Sequence, residues 1–122
     1  MLLNSFFYIT SLTSKNGRTI AEIRVDPLHP IFEGHFPGQP VVPGVCMIEI
    51  LKEVLQLVDE KKYRLETASV IKFLTMFSPL EFTTATLVIS SEETEDQKKN
   101  VVASLEFEQH VFLKFKGIYI AI

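Results

Sequence analysis

The hydrophobic and polar positions along the chain predict strands toward both ends and one helix between them. Residues 5–13 and 18–26 are rich in aromatic and β-branched side chains, and the Asn16-Gly17 pair between them is typical of a tight hairpin turn. The stretch 45–62 is long, largely apolar and free of glycine and proline, which predicts a helix. Four later segments are predicted as strands, at residues 66–78, 80–91, 100–109 and 110–122, and the charged stretch 92–100 is predicted as a solvated hairpin tip.

Two strands, one helix and four more strands have one economical arrangement, which is an antiparallel sheet that curls around the helix. Apolar positions cover more than half of the helix circumference, so we expect the sheet to contact the helix on more than one side. The predicted fold class is α+β, with about six strands around one long central helix in a single domain, 1–122. In the last strand, alternation places Phe112 with Lys114 and Lys116, on the face opposite Leu113.

The predicted helix has one narrow polar stripe. It contains Glu49, Lys52, Glu53, Gln56 and Glu60. Such a stripe is typical of a face turned to water, where Glu49 would pair with Lys52 one turn further along. This interpretation explains Glu49 without assigning it a function.

Composition and charge exclude several classes of function. A net charge of -3 and an isoelectric point of about 5.6 argue against a nucleic-acid groove. The apolar stretch 111–122 is short and contains two lysines, so we expect no membrane span. The single cysteine, Cys46, excludes an internal disulfide and fits a reducing compartment, so we expect a cytoplasmic protein. Three scattered histidines without a cysteine or aspartate cluster predict no metal site, and we expect no cofactor.

One loop, residues 29–45, contains four of the six prolines and three of the five glycines. Pro43 is expected at the first helical position, where its missing N–H has no cost. The next amides, of Gly44, Val45 and Cys46, would then be unpaired donors at the positive end of the helix dipole. No acidic or hydroxyl side chain precedes them as an N-cap, which leaves these donors free for a ligand oxygen.

His35 in this loop has the chemistry of a general base. A neutral imidazole, with an unperturbed pKa of about 6.5, can accept a proton at cellular pH. Free helix amides can hold the charge that develops on a carbonyl oxygen when the neighbouring carbon loses a proton, and a carboxylic acid can protonate a leaving hydroxyl. His35, Gly44 and Glu49 would together suit dehydration of a 3-hydroxyacyl thioester. A lone loop histidine is more often structural, so residue types alone leave both interpretations open.

The stretch GHFPGQPVVPGV, residues 34–45, followed by Glu49, resembles the signature of the 3-hydroxyacyl-[acyl carrier protein] dehydratases of type II fatty acid synthesis and related pathways. That family has a hot-dog fold, and it separates its catalytic histidine and acid by the fourteen positions found here between His35 and Glu49. The resemblance implies a hydro-lyase that forms trans-2-enoyl thioesters. His35 would be the base at the α-carbon and Glu49 the acid that assists departure of the hydroxyl.

The same resemblance implies the substrate contacts and the assembly. The Gly44 amide would polarise the thioester carbonyl, and Val45 and Phe36 would also contact the substrate, an acyl group linked to acyl carrier protein or CoA. The implied unit is a homodimer, and higher oligomers of dimers are compatible with it. In this dimer the histidine and the acid of one site come from different protomers, and the acyl chain enters an apolar tunnel at the interface.

Two alternatives stay open. The chain would be a hot-dog acyl thioesterase if Glu49 activated water, or a non-catalytic acyl-binding subunit that completes a heterodimeric dehydratase. Lys52 and Glu53 stand where the family has a small residue and a glutamine, and Ser78-Pro79-Leu80-Glu81 stands where it has a Pro-Gly-Asp turn. These departures favour a specialised acyl or polyene pathway.

Overall fold

A computed structural model describes residues 1–34 and 38–122 of the chain. The described elements follow the predicted order of two strands, one long helix and four strands, with a short 3-10 helix at Pro30–Gly34 in the loop. Their bounds are β1 Phe7–Lys15, β2 Arg18–Val25, α1 Gly44–Asp59, β3 Tyr63–Phe73, β4 Ala85–Glu93, β5 Lys98–Phe107 and β6 His110–Ala121.

The six strands form one antiparallel sheet in the order β1-β2-β4-β5-β6-β3, so β1 and β3 are its edges. The predicted turn between β1 and β2 is confirmed, since Asn16 and Gly17 both have positive φ, 52° and 78°. A side chain at Gly17 would also place a Cβ 2.5 Å from the Ser91 carbonyl oxygen. The predicted hairpin at 92–100 is confirmed as the β4–β5 connection.

The helix packs against the sheet, and one hydrophobic core fills the space between them. Most of the apolar arc of α1 is buried in this core, which agrees with the prediction that the sheet contacts the helix on more than one side, although Val45 and Leu57 are 78% and 47% exposed. Completely buried members include Ile50, Leu51 and Val54 from the helix and Ile23, Leu87 and Leu105 from the sheet.

The ends of α1 differ from the prediction. Pro43 has extended backbone angles, φ -62° and ψ 148°, so it is the N-cap rather than the first helical residue, and α1 begins at Gly44. The predicted end at residue 62 is also wrong. Glu60 adopts the left-handed conformation at φ 54°, and its N–H donates to the Gln56 carbonyl, which ends the helix at Asp59.

The predicted faces of the last strand are wrong at Phe112. Leu105 and Glu106 of β5 pair with Leu113 and Val111 of β6, which leaves Phe112 as an extra residue in a β-bulge. Because the bulge shifts the alternation by one residue, Phe112 is buried beside Leu113 instead of lying with the exposed lysines.

Residues 74–84 form a loop between β3 and β4, although both ends were predicted as strand. The Ser78 carbonyl accepts hydrogen bonds from the N–H groups of Glu81 and Phe82, at 3.1 and 2.8 Å, and so forms a turn around Pro79. The Phe77 ring stacks on Phe112, with ring centroids 4.4 Å apart, and attaches the loop to the core.

Candidate functional site

The start of α1 presents free backbone donors. Among the described residues no side chain caps the helix, and its first turn contains no acidic residue. The prediction of three free amides is wrong for Cys46, whose N–H donates to the Pro43 carbonyl at 3.0 Å. The Gly44 and Val45 amides have no backbone acceptor among the described residues. These two amides therefore form the positive end of the helix dipole and can bind an oxygen atom.

An open cavity of about 350 Å³ adjoins this helix start. Its wall comes from α1, the end of β3 and the loop that follows. Gly44 lies in the wall against the Phe73 ring, and a Cβ at Gly44 would be 2.6 Å from that ring. The Val42 N–H donates to the Phe77 carbonyl at 2.8 Å and holds the two sides of the wall together. Most other lining side chains are apolar, and they include Met47, Leu74 and Met76. The cavity suits an acyl group whose polar end meets the helix amides.

Glu49 lies on α1 with 35% of its side chain exposed. Its Oε1 is 3.2 Å from the Lys52 Nζ, so the predicted ion pair is confirmed. Burial nevertheless raises the Glu49 pKa above the usual glutamate value. The Glu53 carboxyl raises it further, and these effects outweigh Lys52, which lowers it. A carboxyl that stays protonated to higher pH is suited to act as a general acid.

Glu53 was predicted to face water with the rest of the polar stripe, and this is wrong, because only 1% of Glu53 is exposed. Its Oε2 and Oε1 accept hydrogen bonds from the Leu2 N–H at 2.8 and 3.0 Å, and Oε1 accepts another from the Leu3 N–H at 2.8 Å. Burial by itself would raise the Glu53 pKa, but hydrogen bonds from Glu49 and from these two amides lower it overall. Helical periodicity could not predict this burial, because the N-terminal segment, residues 1–3, contacts Glu53 from a distant part of the chain.

The Glu49 carboxylate also affects the pKa values of Tyr119 on β6 and Cys46 on its own helix. Tyr119 is fully buried, and its hydroxyl has no hydrogen-bond partner among the described residues. Burial, and then the Glu49 carboxylate, raise the pKa of Tyr119. The same two causes raise the pKa of the Cys46 thiol, which fits a structural residue and not a nucleophile.

Two predicted site residues, His35 and Phe36, lie outside the described residues, so the pairing of His35 with Glu49 stays a prediction. In the part of the chain that the structure describes, no cluster of histidine, cysteine, aspartate and glutamate side chains could hold a metal ion. No helix within residues 1–34 and 38–122 has the length and apolar character needed to cross a membrane.

Known proteins resemble the chain in sequence and in fold. The 3-hydroxyacyl-[acyl-carrier-protein] dehydratase FabZ of Xylella fastidiosa (strain M12) is 44% identical over 45 residues, which are 37% of this chain and 28% of that protein. The protein of the same name from Haemophilus influenzae is 32% identical over 63 residues, 51% of this chain and 43% of that protein. The chain therefore spans less than half the length of these curated relatives.

The fold comparison covers nearly the whole chain. The dehydratase heterocomplex ApeI:P from Xenorhabdus doucetiae contains a chain that matches with a TM-score of 0.74 and 20% identity, over 90% of this chain and 95% of that one. This likeness confirms the hot-dog fold, an antiparallel sheet wrapped around one helix.

The sequence model of the ApeI-like family, described as ApeI dehydratase, matches residues 11–116. The match runs from β1 into β6 and includes the proline- and glycine-rich loop and all of α1. It therefore covers the free amides at the helix start, the apolar cavity beside them, and both carboxyl groups described above. The chain belongs to the ApeI-like dehydratase family.

Proposed function

We propose that this protein dehydrates 3-hydroxyacyl thioesters to trans-2-enoyl thioesters, in fatty acid biosynthesis or in a specialised acyl or polyene pathway. Family membership supports a dehydratase, and the names of the FabZ relatives support a substrate linked to acyl carrier protein. The observation that carries the proposal is the helix start, where Gly44, whose amide has no backbone acceptor among the described residues, lines an apolar cavity and the same helix carries Glu49 with a raised pKa.

In the proposed reaction, His35 removes a proton from the α-carbon of the acyl group. The Gly44 amide stabilises the negative charge that moves onto the thioester carbonyl oxygen, and Val45 and Phe36 contact the acyl chain. The electron pair then forms the double bond between the α- and β-carbons, while the β-hydroxyl leaves with a proton from Glu49 as water. Afterwards solvent removes the proton from His35 and returns one to Glu49, so both groups regain their starting states.

We propose that the active unit is a dimer that joins two β3 edges and shares its sites between subunits, and dimers of this kind can assemble further. An edge strand with exposed apolar side chains is a surface where another chain can add. β3 and the loop after it fit this description, since Ile71 is 44%, Phe73 51% and Met76 66% exposed. With a second copy as the partner, the cavity beside Gly44 would lie at the dimer interface.

A second candidate function is that of a subunit in a heterodimeric dehydratase. The Xenorhabdus doucetiae relative of this fold comes from a heterocomplex, which favours this candidate. The ion pair between Lys52 and Glu49 favours it as well, because a cation beside the acid opposes protonation. In that case the partner chain would provide the active pair.

The proposed reaction takes place in the cytoplasm. The single cysteine, Cys46, is a free and buried thiol, which fits a reducing compartment.

Turnover of 3-hydroxyacyl thioesters linked to CoA and to acyl carrier protein tests the proposal. We expect the unaltered protein to form trans-2-enoyl thioesters, and we expect His35→Ala and Glu49→Gln each to lower kcat by about 10²- to 10⁴-fold, the usual contribution of a general acid or base. His110→Ala is the matched control, because His110 lies at the start of β6 and the proposed reaction does not use it.

Full activity of His35→Ala would contradict the assignment of the base. Release of free thiol from saturated acyl thioesters would instead identify a thioesterase. An inactive protein whose activity appears only when a homologous subunit is added would support the heterodimeric candidate.

A further inference from the structure

The described residues include one buried carboxylate that the proposed reaction does not use, that of Glu53. A buried carboxylate is unfavourable unless hydrogen bonds satisfy its oxygen atoms. Both oxygens of Glu53 are satisfied by backbone donors, through three hydrogen bonds of 2.8 to 3.0 Å from Leu2 and Leu3. These donors are amides, which cannot give up their protons, so they favour the ionised form of Glu53.

Glu53 follows Glu49 by one helical turn, on the same side of α1. The two carboxyl groups, here called the carboxyl pair, are neighbours at i and i+4 on the helix, and each affects the pKa of the other. Two interacting carboxyl groups lose their protons one after the other, so one of them keeps its proton to higher pH. Glu53 already accepts hydrogen bonds on both oxygens, whereas Glu49 is partly exposed and, among the described residues, has only Lys52 as an ionic partner. Of the two carboxyl groups, Glu49 is therefore the one that keeps its proton to higher pH.

We infer that Glu53 is a positioning residue, which accepts a hydrogen bond from the Glu49 carboxyl and thereby holds on Glu49 the proton that dehydration consumes. The role of that proton in dehydration rests on the proposed function, while its location does not. The N-terminal segment then has a specific part in the site, because its amides keep Glu53 ionised.

Charged and titratable groups on three elements act on the carboxyl pair. Lys52 on α1 favours ionisation of Glu49, and the α-ammonium of Met1 favours ionisation of the buried partner. The Glu49 carboxylate interacts electrostatically with Cys46 on α1 and Tyr119 on β6. Both groups have raised pKa values, so they stay neutral near pH 7. Glu53 is therefore the only nearby anion among the described groups that raises the Glu49 pKa.

Titration of glutamate side chains, followed by NMR of carbon-13-labelled carboxyl groups, tests the inference in the whole chain. In Glu53→Gln we expect the Glu49 midpoint to move down toward the ordinary glutamate value, because the neighbouring negative charge is gone. Glu92→Gln makes the same chemical change at an exposed position on β4 and should leave the Glu49 midpoint in place. An unchanged Glu49 midpoint in Glu53→Gln would overturn the inference.

A second variant keeps the test decisive if Glu53→Gln does not fold. Leu2→Pro removes the N–H that donates to both oxygens of Glu53, but it leaves the carboxyl pair intact. We expect the Glu53 midpoint to rise and the Glu49 midpoint to fall, since the proton moves toward Glu53. If neither midpoint moved, the role given to the N-terminal amides would be wrong.

Kinetics separate the inference from the proposed function. At pH 7 and above, we expect Glu53→Gln to lower kcat roughly tenfold, a fraction of what a general acid supplies, with KM unchanged. A lowered Glu49 midpoint with normal kcat would overturn the role of Glu53 in the reaction. If the unaltered protein dehydrated no thioester, the proposed function would fail, and the titration would still decide where the proton lies.

Discussion

At the residue scale, we expect Gly44 to control how a substrate approaches the start of α1. Without a side chain at this position, the Phe73 ring packs directly against the backbone beside the apolar cavity. Phe73 is half exposed, so its ring can move when the neighbouring position changes. A larger residue at Gly44 is therefore expected to change the shape of the cavity more than it changes the stability of the fold.

Gly44→Ala tests this distinction. We expect kcat/KM to fall at least about tenfold, because the new Cβ displaces the Phe73 ring into the cavity and moves substrate away from the amide, and losing such a donor completely costs about 10²- to 10³-fold. The free energy of unfolding should change by less than about 1 kcal/mol, as measured by urea denaturation.

The double variant Gly44→Ala/Phe73→Ala is the control, since it removes the ring that the new methyl group would meet. It should recover part of the lost activity. Equal loss in the single and double variants would show that the contact between Gly44 and Phe73 is not the cause.

At the element scale, the β-bulge in β6 turns Phe112 into the core, whereas strict alternation would place it with the exposed lysines. Phe112 is completely buried, and its ring lies nearly parallel to that of Phe77, at an angle of 12°. This stack connects β6 to the loop at 74–84, which forms part of the cavity wall. The bulge thus stabilises the loop beside the candidate site.

Phe112→Ala is expected to lower the free energy of unfolding by about 3 to 5 kcal/mol, the usual cost of deleting a buried phenylalanine ring. Urea denaturation monitored by circular dichroism measures this loss. Phe73→Ala, which removes a half-exposed ring from β3, should cost much less. Equal losses for the two variants would contradict the placement of Phe112 in the core.

At the scale of the whole molecule, the open sheet leaves β3 without a neighbour on its outer side. Its exposed apolar side chains lie close to the helix start, so the same surface can hold a second subunit and complete the apolar cavity. Assembly and substrate binding are therefore expected to depend on one region of the molecule.

Sedimentation velocity at micromolar concentration tests the proposed dimer. We expect the unaltered chain to be dimeric or larger, and Ile71→Glu to shift it to monomers, because a charge on the edge strand opposes pairing. Val102→Glu is the matched control, since Val102 is similarly exposed but lies on β5, inside the sheet. A monomeric unaltered chain, or a dimer that survives Ile71→Glu, would contradict the proposed interface.

The site was predictable only where the signals were local. The pair Glu49 and Lys52 follows from helical spacing, and the uncapped helix start follows from the residues before Gly44. Glu53 was missed because its hydrogen-bond donors, Leu2 and Leu3, are about 50 residues away in the sequence. Sequence reasoning also left the direction of the Glu49 pKa shift open, since burial, its largest cause, depends on packing.

The sequence by itself determined the order of strands and helix, the turn at Asn16 and Gly17, the hairpin at 92–100 and the α+β class, because turn residues and hydrophobic periodicity act within a few positions. Only the tertiary structure decided that Phe112 turns inward, that Glu53 is buried, and that Phe73 packs on the helix start. Each of these outcomes depends on contacts between segments that are distant along the chain, and local sequence patterns do not encode such contacts.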